Sequence, residues 1–339
     1  LFFNYARDSY TYYHSTITNN YEDWFISFSL VIGSNFMKNF FYIFHSFLNF
    51  SYFNVFLFFS ILGNLSLIYL YILLIKKVNN AYSSILILSL ILLPSMSFWT
   101  CGIYKDVIVF FGIILFLWNL TKEKKINYIG ISLSIFLVFL VRPHIAIILT
   151  LSLFFGLVIK TKKNIVDISY LFLCALILPF LYIQFKKIYG LEINFSSLNL
   201  LIESIFGIIQ YRQVLDTNSS VSIESMSFIG KYFTYFFRPL PYETNNLFQL
   251  YISFENTYLL FLFIVSLFLV IISFLKNINK FLNYKLIIII IYIASTSFLL
   301  SYTTTNFGIS SRQKFMLLPL IYFLITYFFS NKKLQLNTK

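Results

Sequence analysis

The chain has 339 residues, of which 59% are apolar and only 11% are charged, and its mean hydropathy is +0.81. An average soluble domain carries about a quarter charged residues, so this composition excludes a soluble enzyme, a nucleic-acid-binding protein and a disordered chain. It predicts an all-α, polytopic membrane protein. The net charge of +13 is then attributed to membrane topology and to anionic lipids.

Residues 1–51 are predicted to form a first outer region. The opening Leu1-Phe2-Phe3 resembles the end of an apolar helix, which predicts a further span ahead of it. Asp8 and His14 follow in a stretch rich in aromatic residues. Because aromatic side chains favour headgroup depth, residues 36–50 predict a helix that lies in the membrane interface.

Apolar runs bounded by charge predict nine membrane spans, because about 20 apolar residues cross a bilayer core. Six form a transmembrane module over residues 52–183, and three form a second module over residues 257–339, which ends in a cytoplasmic tail. A long outer loop, residues 184–256, separates the two modules. The predicted spans are 52–75, 81–98, 107–120, 127–141, 145–159, 168–183, 257–275, 285–300 and 315–329.

Groups of lysines and the five arginines fall on opposite sides of this topology. Lysines occupy every second connection, which the positive-inside rule assigns to the cytoplasm. All five arginines fall in the outer segments. Because a planar guanidinium group binds phosphate oxygens through two hydrogen bonds, we expect some of these arginines to bind phosphate. They are Arg7, Arg142, Arg212, Arg238 and Arg312.

Two tight outer turns carry Lys105-Asp106 and Arg142-Pro143-His144. The span at 107–120 reaches about 21 Å, less than the roughly 30 Å of a bilayer core. These four charged or ionisable residues are therefore predicted to line a depression at the outer face, where such groups usually serve a function. The alternatives are that Asp106 is a helix N-cap neutralised by Lys105 and that Arg142 snorkels to the interface.

The long outer loop contains a helix-compatible aromatic stretch, residues 226–237, which ends at Arg238-Pro239-Leu240-Pro241. A loop of this length usually has a function or structure of its own, and a solvated cap over the bundle is the alternative. The chain has no nucleotide-binding, zinc-protease or D-x-D motif. Its span interiors also lack charges, which argues against an ion-coupled transporter.

Short segments of the sequence resemble the GT-C superfamily of membrane glycosyltransferases and bacterial O-antigen-polymerase-like proteins. Asp8 occupies the place where GT-C enzymes keep a catalytic acid, just after the first span. The segments are 6–14 (Ala-Arg-Asp-Ser-Tyr-Thr-Tyr-Tyr-His), 94–99 (Pro-Ser-Met-Ser-Phe-Trp) through Lys105-Asp106, 142–144 (Arg-Pro-His), 237–241 (Phe-Arg-Pro-Leu-Pro), 306–308 (Asn-Phe-Gly) and 312–314 (Arg-Gln-Lys).

The resemblance implies a GT-C-like helix bundle in the bacterial inner membrane, with its active site on the extracytoplasmic side. The donor would be a sugar linked to polyprenyl phosphate or pyrophosphate, and the acceptor a glycan or a lipid-linked glycan. Cations would stabilise the departing phosphate, and the expected ones are Lys105, Arg142, Arg238 and Arg312. Asp8 is the expected base, with His14 or His144 as alternatives and Asp106 as a further catalytic residue. No cofactor is expected. The metal-dependent members of the superfamily carry an acidic D-x-D motif, which this sequence lacks, so a divalent metal is not expected either.

Three interpretations stay open at this point. The enzyme is either a transferase that adds one sugar and requires Asp8, or a polymerase that joins lipid-linked repeat units using arginines and a histidine. The second class is a flippase or carrier for lipid-linked glycans, which predicts a cationic cavity open to both sides. The third is a scaffold in polysaccharide export, in which all five arginines tolerate replacement by lysine.

Overall fold

The computed structural model describes residues 9, 12, 32–76, 78, 81–122, 126–160, 164–189, 221–223, 225–244, 246–276 and 283–329. Helices dominate this part of the chain, as predicted. They are α1 (Ser34–Leu48), α2 (Tyr52–Ile75), α3 (Ala81–Ile91), α4 (Pro94–Thr100), α5 (Lys105–Leu120), α6 (Tyr128–Val141), α7 (Pro143–Ile159), α8 (Ile165–Tyr189), α9 (Phe228–Phe237), α10 (Leu247–Lys276), α11 (Tyr284–Thr303), α12 (Phe307–Gln313) and α13 (Leu318–Phe329). Short 3₁₀ turns occupy Pro241–Glu243 and Lys314–Met316.

Three of the described helices are long and apolar enough to cross a membrane: Tyr52–Ile75, Gln249–Phe268 within α10, and Tyr284–Thr303. A fourth is added if Ser83–Ile91 and Pro94–Thr100 count as one span, although they are bent by 46°. Proline opens the second helix of this pair, and its ring restricts the preceding residue to extended backbone. Four other predicted spans coincide with shorter apolar helices of 10–17 residues, at Tyr128–Val141, Pro143–Ile159, Ile165–Pro179 and Leu318–Phe328.

The chain divides into two compact units. The first takes the described residues up to Lys76 and those from Leu88 to Leu149, and the second takes those from Val78 to Ile87 and from Thr150 onward. The boundaries do not follow the predicted division into loop and span modules, because the first unit joins α1 and α2 to the helices from α4 to α6. Each unit is described separately below.

The first unit is built around α5, which is buried along most of its length. Close helix contacts depend on small residues. A Cβ atom at Gly63 of α2 would lie 2.0 Å from the Thr100 carbonyl oxygen, and one at Gly112 of α5 would lie 2.7 Å from Val138. The predicted interfacial segment does form a helix, α1, which buries Met37 and Phe41 on one face.

The second unit is built around the long helices α10 and α11. The hydroxyl of Tyr292 in α11 donates a hydrogen bond to the carbonyl oxygen of Met316, at 3.0 Å. Gly156 of α7 lies against Ile288, where a Cβ atom would approach to 2.1 Å. Helix α9, from the long loop, packs against both α10 and α11. The aromatic stretch predicted to be helix-compatible therefore forms a helix over Phe228–Phe237 that packs on its neighbours.

Candidate functional site

Asp106 and Arg142 form an ion pair in the first unit. Arg142 Nη2 lies 2.6 Å from Asp106 Oδ1, and the side chains are 15% and 1% exposed. Asp106 lies in the first turn of α5, and Arg142 is the C-cap of α6. Both positions suit the helix dipoles, which favour anions at N-termini and cations at C-termini. The two turns therefore meet in the structure through this ion pair.

The local sequence explains why Arg142 is placed at this point. Pro143 disfavours helical backbone at the residue before it, and Arg142 has φ −138° and ψ 80°. Helix α6 therefore ends at Val141 with Arg142 as its C-cap, and α7 begins at Pro143. Asp106 is the second residue of α5, and Tyr104 is its N-cap. The ion pair with Arg142, rather than an N-cap role, accounts for this carboxylate.

Lys105 and His144 lie beside this ion pair. Lys105 Nζ donates a hydrogen bond to Ser34 Oγ at 2.6 Å and lies 5.7 Å from the centre of the Tyr12 ring. The pKa of His144 is lowered to about 3, chiefly by burial and also by the positive charges of Arg142 and Lys105. His144 is therefore a neutral imidazole at pH 7, next to two cations.

The cluster of Lys105, Asp106, Arg142 and His144, called here the cationic cluster, brings two cations and one carboxylate together beside an imidazole. It also keeps unused hydrogen-bonding capacity. Arg142 Nε is buried and has no hydrogen-bond partner among the described residues. A buried donor without a partner costs roughly 1–3 kcal/mol. An anion that accepts from this group would recover that cost.

Asp8 and His14 lie outside the described residues, so their predicted roles stay predictions. Two near neighbours in the sequence belong to the first unit. The Ser9 hydroxyl is buried and lies 2.9 Å from the Tyr52 hydroxyl. Tyr12 stacks on Phe41 with ring centres 6.5 Å apart and also lies against Lys105.

Arg238 belongs to a separate cluster in the second unit. Its Nε donates to both Glu243 carboxylate oxygens, at 2.8 and 3.1 Å, and Nη2 lies 2.7 Å from Oε1. The guanidinium carbon lies 5.3 Å from the centre of the Phe307 ring. Burial raises the pKa of Glu243, but its bonds to Arg238 and to the Leu240 N–H lower it more, so the net pKa is lowered.

Arg312 lies in the last turn of α12, the short helix that begins with Phe307. Arg312 is half-buried, and it interacts with another residue of the protein. The four predicted phosphate ligands are therefore divided. Lys105 and Arg142 belong to the first unit, and Arg238 and Arg312 belong to the second.

A buried lysine was not among the predicted site residues. Lys314 is 3% exposed, and its Nζ donates a hydrogen bond to Asn256 Oδ1 at 2.7 Å. Burial lowers the pKa of Lys314 to about 7, although the charge of Glu255 acts in the opposite direction. Nearby, the hydroxyl of Tyr322 is buried with no hydrogen-bond partner among the described residues. Only the Arg-Gln-Lys segment at 312–314 gave a sequence signal for this group.

Metal binding finds no support in the described part of the chain, which contains no group of three or more His, Cys, Asp or Glu residues able to hold an ion. Comparison of the sequence and structure with protein families, curated proteins and solved structures finds no match.

Proposed function

We propose that the protein is a membrane glycosyltransferase or polymerase that takes its sugar from a polyprenyl phosphate or pyrophosphate donor at the extracytoplasmic face. The observation that supports this proposal is the guanidinium group of Arg142, which pairs with Asp106 through Nη2 and whose buried Nε has no hydrogen-bond partner among the described residues. Phosphate is the ligand that best fits a guanidinium group with an N–H still to be satisfied.

The chemistry of the transfer matches these groups. The acceptor hydroxyl oxygen bonds to the anomeric carbon, the bond from that carbon to the phosphate oxygen breaks, and the phosphate leaves with the electron pair. Lys105 and Arg142 stabilise the charge that develops on the leaving phosphate. The acceptor proton passes to a base. No nucleotide is needed, because the bond to phosphate already supplies the driving force.

His144 is one candidate for this base, and Asp8 is the other. In the empty cluster the pKa of His144 is low because of burial and the two neighbouring cations. A bound phosphate places negative charge beside those cations and opposes their effect. We therefore expect substrate binding to raise the pKa of His144, so that the imidazole becomes a better proton acceptor when the donor is present.

The test is a complementation experiment in a strain that lacks the gene, with lipid-linked sugars measured by mass spectrometry. The strain is expected to accumulate lipid-linked sugars, and the native chain to clear them. Arg142→Lys keeps the charge but loses the planar N–H pair, so accumulation should persist. Lys160→Arg is the matched control, because Lys160 also pairs with a buried aspartate, Asp167, at 2.6 Å.

Asp8→Asn and His144→Gln separate the two enzymatic readings. Loss of transfer with Asp8→Asn favours the single-sugar transferase, whereas loss with His144→Gln alone favours the polymerase. Clearance by the Arg142→Lys variant at the native rate would contradict the proposed role of the cationic cluster.

A further inference from the structure

Helix α9 runs alongside the C-terminal half of α11 in the second unit. Near the start of α9, the Phe228 ring centre lies 6.2 Å from that of Phe298 and 6.1 Å from that of Tyr302. One turn further on, the Tyr232 hydroxyl reaches the Ala294 carbonyl oxygen at 3.4 Å. Advancing along α9 therefore means moving back along α11, so that the two helices are antiparallel.

The contact with Ala294 measures how far α9 extends along α11. Helix α11 has 20 residues and is long and apolar enough to cross a membrane. Ala294 lies nine residues before its last residue, Thr303, which corresponds to about 14 Å at 1.5 Å per residue. If α11 crosses a bilayer of about 30 Å, Tyr232 reaches nearly the midplane. Residues further along α9 therefore lie deeper in the bilayer.

Beyond α9, the chain turns back through non-helical backbone, which is tolerated at membrane depth only where its polar groups have protein partners. Those partners are present. The Leu240 N–H donates to Glu243 Oε2 at 2.9 Å, and the Glu243 N–H donates to the Leu240 carbonyl oxygen at 2.9 Å. Asn256 Nδ2 donates to the Pro239 carbonyl oxygen at 3.2 Å. Pro239 and Pro241 have no N–H to satisfy.

The outward face of α9 is apolar. Phe228, Ile229 and Phe233 are exposed, and Ile229 is 77% exposed. This face continues onto Phe298 of α11, which is also exposed. The opposite face buries Thr234, Tyr235 and Phe237 against the unit. An exposed apolar surface that is continuous with a candidate membrane span suits lipid acyl chains, whereas water would leave it unfavourably hydrated.

We infer that residues 227–243 form the inserted part of a re-entrant hairpin, which enters the membrane from the side where α11 ends, reaches at least the midplane, and returns to that side along the start of α10. Its partner is the lipid of the leaflet that holds the C-terminal half of α11, which contacts Phe228, Ile229 and Phe233. The Arg238–Glu243 ion pair follows the last residue of α9 and closes the turn within the membrane. This inference requires that α11 crosses the membrane, and it is independent of the proposed glycosyl transfer.

The test measures depth with spin labels in the full chain, reconstituted in lipid vesicles. Single cysteines replace Ser225, Ile229 or Phe233 in a background in which Cys101 and Cys174 are changed to serine. Ser225 lies just before α9 and is exposed, so it provides the aqueous reference. Phe298→Cys provides the lipid-facing reference on α11. Each label is compared for collision with oxygen, which enters lipid, and with a water-soluble nickel chelate.

The ratio of oxygen to nickel collisions is expected to rise from Ser225 to Ile229 to Phe233, and to be several-fold higher at Phe233 than at Ser225. A label at Phe233 that is as accessible to nickel as the one at Ser225 would overturn the hairpin. A label shielded from both reagents would mean that protein covers the face, and would also overturn the inference.

A second measurement avoids the cysteine-free background. Phe233→Trp, in the otherwise native chain, is expected to be quenched by lipids brominated on their acyl chains. The native chain contains three tryptophans, and its own quenching is subtracted. No added quenching in the variant would contradict contact with lipid, whatever the activity of the protein.

Discussion

The two arginine–carboxylate pairs of this protein differ in how completely they are satisfied. Arg238 binds Glu243 through both Nε and Nη2, and the same carboxylate accepts the Leu240 N–H. Arg142 makes a single 2.6 Å contact with Asp106 and keeps Nε without a partner among the described residues. The Arg238–Glu243 pair holds a turn together, whereas the Arg142–Asp106 pair leaves the Nε–H of Arg142 to be satisfied.

The charge around the two pairs differs in the same way. The charges of Lys105 and Arg142 both lower the pKa of His144, so two cations lie close together near Asp106. In the second unit, the cation Arg238 is matched by Glu243, and the charge of Lys314 is opposed by Glu255. The same residue types therefore close a turn in the second unit, whereas in the first unit the proposed role is to bind an anion.

The largest expected effect comes from removing the buried carboxylate. Asp106→Ala leaves Arg142 without its counter-ion in a site that is 15% exposed. Breaking a buried pair in this way costs about 3–5 kcal/mol, to be measured as unfolding free energy in detergent. Glu243→Ala removes a more exposed partner and should cost less.

The double variant Asp106→Ala, Arg142→Ala tests the origin of that cost. It should be more stable than Asp106→Ala, because no unpaired charge remains. Equal costs for Asp106→Ala and Glu243→Ala would remove the distinction between the two pairs.

The next effect concerns activity. Under the proposed function, Arg142→Lys removes a donor to the leaving phosphate, and the loss of one such donor is expected to cost on the order of 100-fold in turnover. Arg238→Lys breaks the bidentate contact with Glu243, so its main effect should be on stability rather than transfer. The measurement is the rate of lipid-linked sugar consumption at matched protein levels. A larger loss of transfer in Arg238→Lys would transfer the phosphate role to the second unit.

A smaller effect concerns packing. Gly63→Ala places a Cβ atom 2.0 Å from the Thr100 backbone oxygen, whereas the new Cβ atom in Gly308→Ala meets only the Asn306 side chain, at 3.2 Å. Overpacking typically costs about 1–3 kcal/mol of stability, and we expect Gly63→Ala to lose a similar amount. Gly308→Ala should cost less than Gly63→Ala. Thermal unfolding of both variants in detergent measures the difference, and equal midpoints would contradict the close approach of α2 and α4.

The sequence was sufficient for the helical class, because composition requires apolar helices. It placed Asp106 and Arg142 in one region, since both lie in short turns, but it did not identify the ion pair between them. The bend between α3 and α4 was not predicted, since the run 81–98 contains no charged residue and was assigned to a single span, whereas the turn depends on Pro94. The identity of the Arg238 partner was also missed, because only the folded turn shows that Glu243 returns to it.

The group around Lys314 was the hardest to predict. Asn256 and Lys314 are separated by 58 positions in the sequence, and Lys314 directly precedes a predicted span, where a lysine ordinarily marks the membrane boundary. Its burial depends on the packing of α10 against the turn before α13, which no local pattern encodes. Long-range polar contacts of this kind require the tertiary structure.

The stability of the two units should depend on pH in different ranges, because His144 lies in the first unit and Lys314 in the second. Both His144 and Lys314 have lowered pKa values, about 3 and about 7, mainly because burial disfavours the charged form. The unfolded chain therefore binds more protons than the native chain between about pH 3 and 6.5 for His144 and between about pH 7 and 10.5 for Lys314. Stability should rise with pH through each window, by at most about 1.4 kcal/mol per pH unit for one group.

Single variants assign each window to its residue. His144→Gln should flatten the rise in unfolding midpoint between pH 5 and 6.5 and leave the alkaline rise in place. Lys314→Met should do the reverse, flattening the rise above pH 7. Because the two groups belong to different units, their effects should add in the double variant. If His144→Gln left the acid slope intact, the imidazole would already be protonated in the native state, and the electrostatic account of the cationic cluster would fail.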